Sequence, residues 1–141
     1  MKSPAQRRSS ESIDDYLKAI YSLGGSDQRR VGSSELAAQR RPLIQYERGR
    51  GVRLSASGRK RALEIVRHHR LVETFLFEVL GYPLDELHDE AERLEHFISE
   101  KFEARVAAKL HNPTRDPHGH CIPALDGTMP PQHGIDCACG K

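Results

Sequence analysis

The chain has 141 residues, a formal charge of +2 at pH 7, and is 37% hydrophobic and 30% charged, which leaves room for one ordinary domain or two small ones with modest cores. No stretch approaches the ~18 apolar residues of a membrane span, and the opening Met1-Lys2-Ser3-Pro4-Ala5-Gln6-Arg7-Arg8 lacks the apolar run of a secretory signal. A cytoplasmic protein with no membrane association is expected. The small net charge conceals two opposed halves: residues 1–70 hold 16 Lys or Arg against 7 Asp or Glu, and residues 71–141 hold 6 against 13. A basic first half suits a polyanion such as DNA, and an acidic second half suits cations.

In chain order, Ser10 and Ser12 offer N-caps to an amphipathic helix with Ile13, Tyr16, Leu17, Ile20, Tyr21 and Leu23 on one stripe, ended by Gly24-Gly25. Val31 lies in a short extended piece. Ser33 or Ser34 then caps a second helix opening Glu35-Leu36-Ala37-Ala38, which Pro42 cuts short by disfavouring helical geometry at Arg41. Leu43 to Glu47 and Val52 to Ser55 are expected as two strands joined by the basic, glycine-rich turn Arg48-Gly49-Arg50-Gly51. Ser57 is expected to cap a long helix over about residues 58–80, broken by Gly81-Tyr82-Pro83. A further helix is expected from about Leu84 to Leu110. From His111 onward Pro, Gly and His dominate without a period, which reads as loop or disorder.

That last helix would carry a ligand array. His88, Glu92, Glu95 and His96 fall at i, i+4, i+7 and i+8, so two imidazoles and two carboxylates would share one face, a set that suits Mn, Fe or Zn. Leu84, Leu87, Ala91, Leu94, Ile98 and Phe102 form an adjoining apolar stripe, placing the row at the edge of a buried seam. The competing reading is a solvated, charge-laced face. The preceding helix adds His69 and Glu73 at i, i+4, and the first helix adds Asp15, which could equally serve a capping box with Ser12. His68 is expected to face solvent, and His111, with no partner at helical spacing, to lie on the surface. Leu84, Leu87 and Phe102 cannot all be satisfied in so small a helical domain, so some are expected to bury against a second subunit.

The three cysteines, Cys121, Cys137 and Cys139, lie in the last 21 residues. Their position and odd number argue against a disulfide framework stapling the core. With His118, His120 and His133 they could hold zinc, and Cys137-Ala138-Cys139 could chelate or oxidise reversibly, although the spacing fits no standard zinc finger.

Helix, short strand, helix and a hairpin with arginines at its tip outline a winged helix-turn-helix domain, whose wing would set Arg48 and Arg50 against a phosphate backbone or minor groove. Ser33, Ser34, Arg40 and Arg41 are further DNA-contact candidates. The expected fold is mainly α: a winged-helix DNA-binding domain over residues 1–57, a helical metal-binding and dimerisation domain over 58–125, and a flexible Cys/His-containing tail over 126–141.

The chain resembles the diphtheria-toxin-repressor and manganese-transport-regulator family of metal-dependent transcriptional repressors. The resemblance rests on Asp14-Asp15-Tyr16-Leu17-Lys18-Ala19-Ile20-Tyr21, Ser33-Ser34-Glu35-Leu36-Ala37, Arg50-Gly51-Val52-Arg53-Leu54-Ser55, His68-His69-Arg70-Leu71-Val72-Glu73, Glu92-Arg93-Leu94-Glu95-His96, and Asn112-Pro113-Thr114 with Asp116-Pro117-His118-Gly119. It covers residues 11 to 125. It implies a homodimer formed through the helical domain, with the ion bridging that domain and the first helix. It places Asp15, Glu92, Glu95 and His96 on the principal metal site and His69, Glu73 and His88 on a neighbouring one. Asp15 and Glu92 match the manganese-type members, and hard oxygen donors favour Mn2+, with Fe2+ as the alternative and Zn2+ possible. Lys18 departs from that pattern, standing where manganese-type regulators often have another carboxylate.

The larger departure lies between Gln39 and Pro42. Relative to the family about 18 residues are missing there, and with them the recognition helix that enters the major groove. The function implied is a non-enzymatic repressor of metal-uptake genes acting on a double-stranded DNA operator. The alternatives are a metal-binding dimer that has lost specific DNA recognition and, more remotely, a metal-dependent hydrolase, for which no nucleophile, oxyanion element or phosphate loop is visible.

Overall fold

A computed structural model describes residues 14–21, 43–49 and 51–130. The chain divides into two units, residues 1–63 and 64–141. Ser33, Ser34, Arg40, Arg41 and Arg50, and the residues flanking Gln39, lie outside the described residues.

In the first unit, helix α1 (14–21) buries the stripe its spacing requires, with Leu17 fully enclosed beside Ile20 and Tyr21. Asp14 is buried and takes a bidentate pair from Arg61, Nε to Oδ1 at 2.9 Å and Nη2 to Oδ2 at 2.8 Å. Its neighbour Asp15 is exposed. Strands β1 (Ile44–Glu47) and β2 (Gly51–Leu54) form the expected antiparallel hairpin, with Ile44 opposite Leu54 and Tyr46 opposite Val52. Period-2 alternation sends Ile44, Val52 and Leu54 inward, while Gln45 accepts a bond from Arg53 Nε at 2.7 Å on the exposed face. Arg48 is exposed at the tip beside Gly49, whose φ of +76° is the left-handed geometry glycine accommodates.

Helix α2 (Ala56–Glu78) starts directly after the hairpin. Its cap is Ser55, two residues earlier than expected: Ser55 Oγ accepts the Gly58 N–H at 3.0 Å while the Ser55 N–H donates to Leu43 O at 3.0 Å. Gly58 is the contact that sets helix against hairpin. A Cβ there would sit 1.7 Å from the Leu43 carbonyl oxygen, a separation no side chain can occupy.

The second unit is organised around the rest of α2. Leu71 packs with Val106, Ala107, Leu110 and Ile122 on one side, and Val72 and Leu76 pack with Leu87 and Ala91 on the other. The region expected as one helix from Leu84 to Leu110 is two, α3 (Leu84–Leu94) and α4 (Glu100–Lys109). The cause is local. Ser99 takes extended backbone and its Oγ accepts the Phe102 N–H at 3.1 Å, an N-cap reinforced by Glu100 and Glu103 in the new first turn. Leu87 is fully buried within its own subunit and is unavailable to a partner, whereas Leu84, Phe97 and Phe102 are exposed.

Residues 111–130 are loop, as their composition suggested, and are held in place by backbone hydrogen bonds. His111 and Asn112 adopt φ of 60° and 52° and turn the chain back after α4, with His111 on the surface as expected. A small hairpin follows. Ile122 N–H donates to Thr114 O and Asp116 N–H to His120 O, both at 2.9 Å, with Arg115 bridged to Cys121. Asp116 Oδ1 accepts the N–H groups of His118 and His120, each at 2.9 Å, which fixes the tip. Cys121 is fully buried and disulfide-bonded. His133, Cys137 and Cys139 lie outside the described residues.

Candidate metal centre

Helix α2 presents His69 and Glu73 on one face because residues four apart are neighbours along a helix. His69 Nε2 pairs with Glu73 Oε1, and His69 Nδ1 lies 2.5 Å from Glu95 Oε2, so the imidazole is clamped between two carboxylates. All three side chains are buried. Around them Glu92 Oε1 stands 4.0 Å from His69 Nδ1 and 3.7 Å from His88 Nε2, and the His69 and His88 ring centres are 5.0 Å apart. His96 Nε2 lies 3.4 Å from Glu95 Oε1.

Burial alone would pull His69 towards the neutral form, but the bonds and charges of Glu73 and Glu95 outweigh it and raise the pKa from 6.5 to about 9. The converse holds at Glu73. Burial pushes its carboxyl up, and His69 and then His118 hold it below the usual carboxylate range. A proton on His69 and a divalent cation would thus compete for the same pair of carboxylates.

Three sets of possible ligand atoms lie within 4.8 Å of one another among the described residues of this unit: His69, Glu73 and His88; His69, Glu92 and Glu95; and, at the tip of the 114–122 hairpin, Asp116, His118 and His120. His69 is common to the first two, so one imidazole joins residues that the resemblance divides between two sites. Buried carboxylates converging with imidazoles form a mixed O/N donor set that fits a first-row divalent ion. Glu92 and His88 lie on α3, but Glu95 is its C-cap and His96 lies in the turn beyond. The helical spacing of the four-residue row thus holds as far as Glu95, whose N–H bonds to Ala91 O at 2.9 Å, and lapses before the end of the row at His96. Asp15, in the first unit, is exposed on α1.

Two contacts escape sequence reasoning. His118, read as a tail residue, sits with Nδ1 2.7 Å from Glu73 Oε2, and its Nε2 is 3.3 Å from Leu84 O. The Pro117 and Gly119 that bracket it signalled a tight turn, but no local signal connects it to a carboxylate 45 residues away. His68, expected to face solvent, instead lies 2.6 Å from Glu103 Oε2, while Arg67 Nε donates to Oε1 at 2.6 Å. Burial raises the Glu103 carboxyl, and those two partners bring it below the ordinary value. This part-buried triad, centred on the buried Glu103, holds α4 to α2 outside the metal cluster.

Residues 55–124 match the family described as iron dependent repressor, metal binding and dimerisation domain. The iron-dependent repressor IdeR of Mycobacterium tuberculosis (strain ATCC 25618 / H37Rv) is 40% identical over 144 residues, covering 91% of this chain and 63% of that protein. The diphtheria toxin repressor of Corynebacterium jeikeium is 38% identical over 134 residues, covering 84% and 56%. Among solved structures, a manganese-dependent transcriptional repressor in complex with manganese superposes with a TM-score of 0.69 at 42% identity, covering 84% of this chain and 61% of that one. The chain thus spans about three-fifths of the length of these relatives. In the match to the M. tuberculosis protein, 91% of 141 residues, about 128, stand against 144 aligned positions, so about 16 positions have no counterpart here. That shortfall is close in size to the stretch of about 18 residues that the resemblance expects between Gln39 and Pro42. With its mainly helical architecture, its buried carboxylate-imidazole cluster and these relatives, the chain belongs to the diphtheria-toxin-repressor and manganese-transport-regulator family.

Proposed function

We propose that the chain is a metal-dependent transcriptional repressor, not an enzyme, that controls metal-uptake genes by binding a double-stranded DNA operator as a cytoplasmic homodimer. The observation that carries this reading is the buried cluster in which His69 is held between Glu73 and Glu95, with Glu92, His88 and His118 around it. Glu92, Glu95, His96, His69, Glu73 and His88 are the proposed ligands in this unit, and His118 joins them through Glu73. Asp15 is the proposed ligand from α1, a role that rests on the resemblance. A bound divalent ion supplies positive charge that the carboxylates otherwise draw from a proton on His69. Carboxylate oxygens in the majority favour Mn2+, with Fe2+ and then Zn2+ as alternatives.

Arg48, exposed at the hairpin tip, is the proposed wing contact to phosphate, with Arg50, Ser33, Ser34, Arg40 and Arg41 as further candidates. The proposed division of labour is DNA binding by residues 1–57, metal binding and dimerisation by 58–125 and a tail over 126–141. Dimerisation is supported by Leu84, Phe97 and Phe102, exposed on the unit whose family is described as a dimerisation domain.

One observation favours a second reading. The roughly 16 positions without counterpart are enough to remove a recognition helix, which would leave a metal-binding dimer without operator discrimination. Fluorescence anisotropy with Mn2+, using a duplex selected from genomic fragments and its scrambled version, separates the two. The repressor requires Mn2+-dependent preference for the selected duplex; equal, salt-sensitive binding to both identifies the second reading.

A further inference from the structure

We infer that Asp116, His118 and His120, at the tip of the 114–122 hairpin, form a second cation site that takes Zn2+. The site goes beyond the Mn2+ reading of the main cluster and uses none of the ligands proposed there. One donor atom from each of the three side chains lies within 4.8 Å of the others. All three come from residues 116–120, so the donors are gathered by a single turn of the chain.

The turn builds the site by dividing the Asp116 carboxylate between two tasks. Oδ1 accepts the N–H groups of His118 and His120, each at 2.9 Å, which holds both histidines beside the same carboxylate. Oδ2 is left over. It belongs to a side chain only 1% exposed and accepts no hydrogen bond. A buried carboxylate oxygen without a partner is costly, so one that is retained in a fixed turn points to a ligand. His120 Nδ1 stands 3.5 Å from it, too far for a strong hydrogen bond. Tetrahedral Zn2+, with bonds of about 2.0–2.1 Å, holds its donors about 3.4 Å apart, so this pair stands near coordination spacing. The His118 and His120 ring centres are 6.3 Å apart, and the His120 side chain is 40% exposed, free to turn towards a shared ion without disturbing the core.

The donor set selects the ion. Two imidazoles and one carboxylate make a nitrogen majority, unlike the carboxylate-rich main cluster, and three protein ligands with a fourth position left to water is a common Zn2+ arrangement. His118 is positioned from α2 as well as by its own turn, because its Nδ1 lies 2.7 Å from the buried Glu73 Oε2. An outer carboxylate of this kind orients the ring of a metal-bound histidine.

The test uses the full chain, stripped with EDTA and desalted, titrated calorimetrically with Zn2+ beside His120→Ala and Asp116→Asn. Asparagine keeps the Oδ1 acceptor that holds the turn and removes the charged oxygen, while the partly exposed His120 ring can be lost without opening the core. Comparison with wild type isolates the tip from any other Zn2+ the chain binds. Each variant should bind one Zn2+ fewer per chain, or bind it with a Kd at least about tenfold weaker, while Mn2+ affinity stays within about twofold of wild type. The His120 ring nitrogens of the wild-type chain should shift on Zn2+ addition in long-range proton–nitrogen correlation spectra. Unchanged Zn2+ stoichiometry and affinity in His120→Ala overturn the inference, as do His120 ring nitrogens that do not respond. Mn2+ affinity falling in step with Zn2+ affinity also overturns it, because the tip would then belong to the main cluster. No Mn2+ binding by the wild type, with the Zn2+ difference intact, overturns the main-cluster reading and leaves this site standing.

Discussion

Raising the pH from 6.5 to 8 should tighten metal binding by about 30-fold. In the metal-free centre His69 holds a proton with a pKa of about 9, because Glu73 and Glu95 outweigh its burial. An ion must displace that proton to reach a ring nitrogen, so below the pKa its apparent affinity rises tenfold per pH unit for each proton released. Over 1.5 units that gives about 30-fold, whereas a histidine titrating at its ordinary value of 6.5 would give about twofold over the same interval. Calorimetric titration with Mn2+ at pH 7, in two buffers of different ionisation enthalpy, should find about one proton released per ion. A release near zero together with a twofold pH response would refute the clamped, protonated His69. Stability follows the opposite trend. The folded pKa exceeds the unfolded one, so the clamp contributes about 3 kcal/mol that is fully present below pH 6.5 and lost as pH rises through 9. The metal-free protein should therefore melt at a lower temperature at pH 9 than at pH 6.5.

Mn2+ should raise the melting temperature by binding only the folded state, and Glu95→Gln or His96→Ala should abolish most of that shift in differential scanning fluorimetry; wild-type shifts in both would remove them from the ligand set. Gly58→Ala should destabilise by about 3 kcal/mol in urea unfolding, because its Cβ meets the Leu43 carbonyl at 1.7 Å; a neutral result would mean that the helix and hairpin are not packed as described. His111→Gly should stabilise by about 0.5–1 kcal/mol in the same assay by relieving its φ of 60°. Phe97→Asp with Phe102→Asp should shift sedimentation equilibrium from dimer to monomer while leaving Mn2+ binding in place, since both rings are exposed.

What was legible in the sequence was what local pattern encodes. The hairpin followed from alternation around a Gly-rich turn, and the course of α2 from its 3.6-residue period. Glu73 and His69 were visible as partners because four-residue spacing alone brings them together. The break between α3 and α4 was not visible, because Leu94, Ile98 and Phe102 continue the helical period straight through it and only Ser99 marks the restart. Nor could the period say which of Leu84, Leu87 and Phe102 its own subunit would enclose; it is Leu87, completely. His118 and the His68-Glu103-Arg67 triad were hidden for a different reason. Each depends on contacts spanning 35 residues or more, for which periodicity carries no information.

The turn between α3 and α4 is hydrogen-bonded at both ends, by Glu95 N–H to Ala91 O at 2.9 Å on one side and by the Ser99 cap on the other. It works as a gear between two tasks. Deleting one residue from it would leave too short a span between Leu94 and the Ser99 cap, so α4 would have to start displaced against α3. That displacement would strain the packing of Val106 and Ala107 on Leu71 and the pairing of Glu103 with Arg67 and His68. Changes of length here should be severe: the five residues between the helices hold Glu95 on His69 at one end and the cap of α4 at the other.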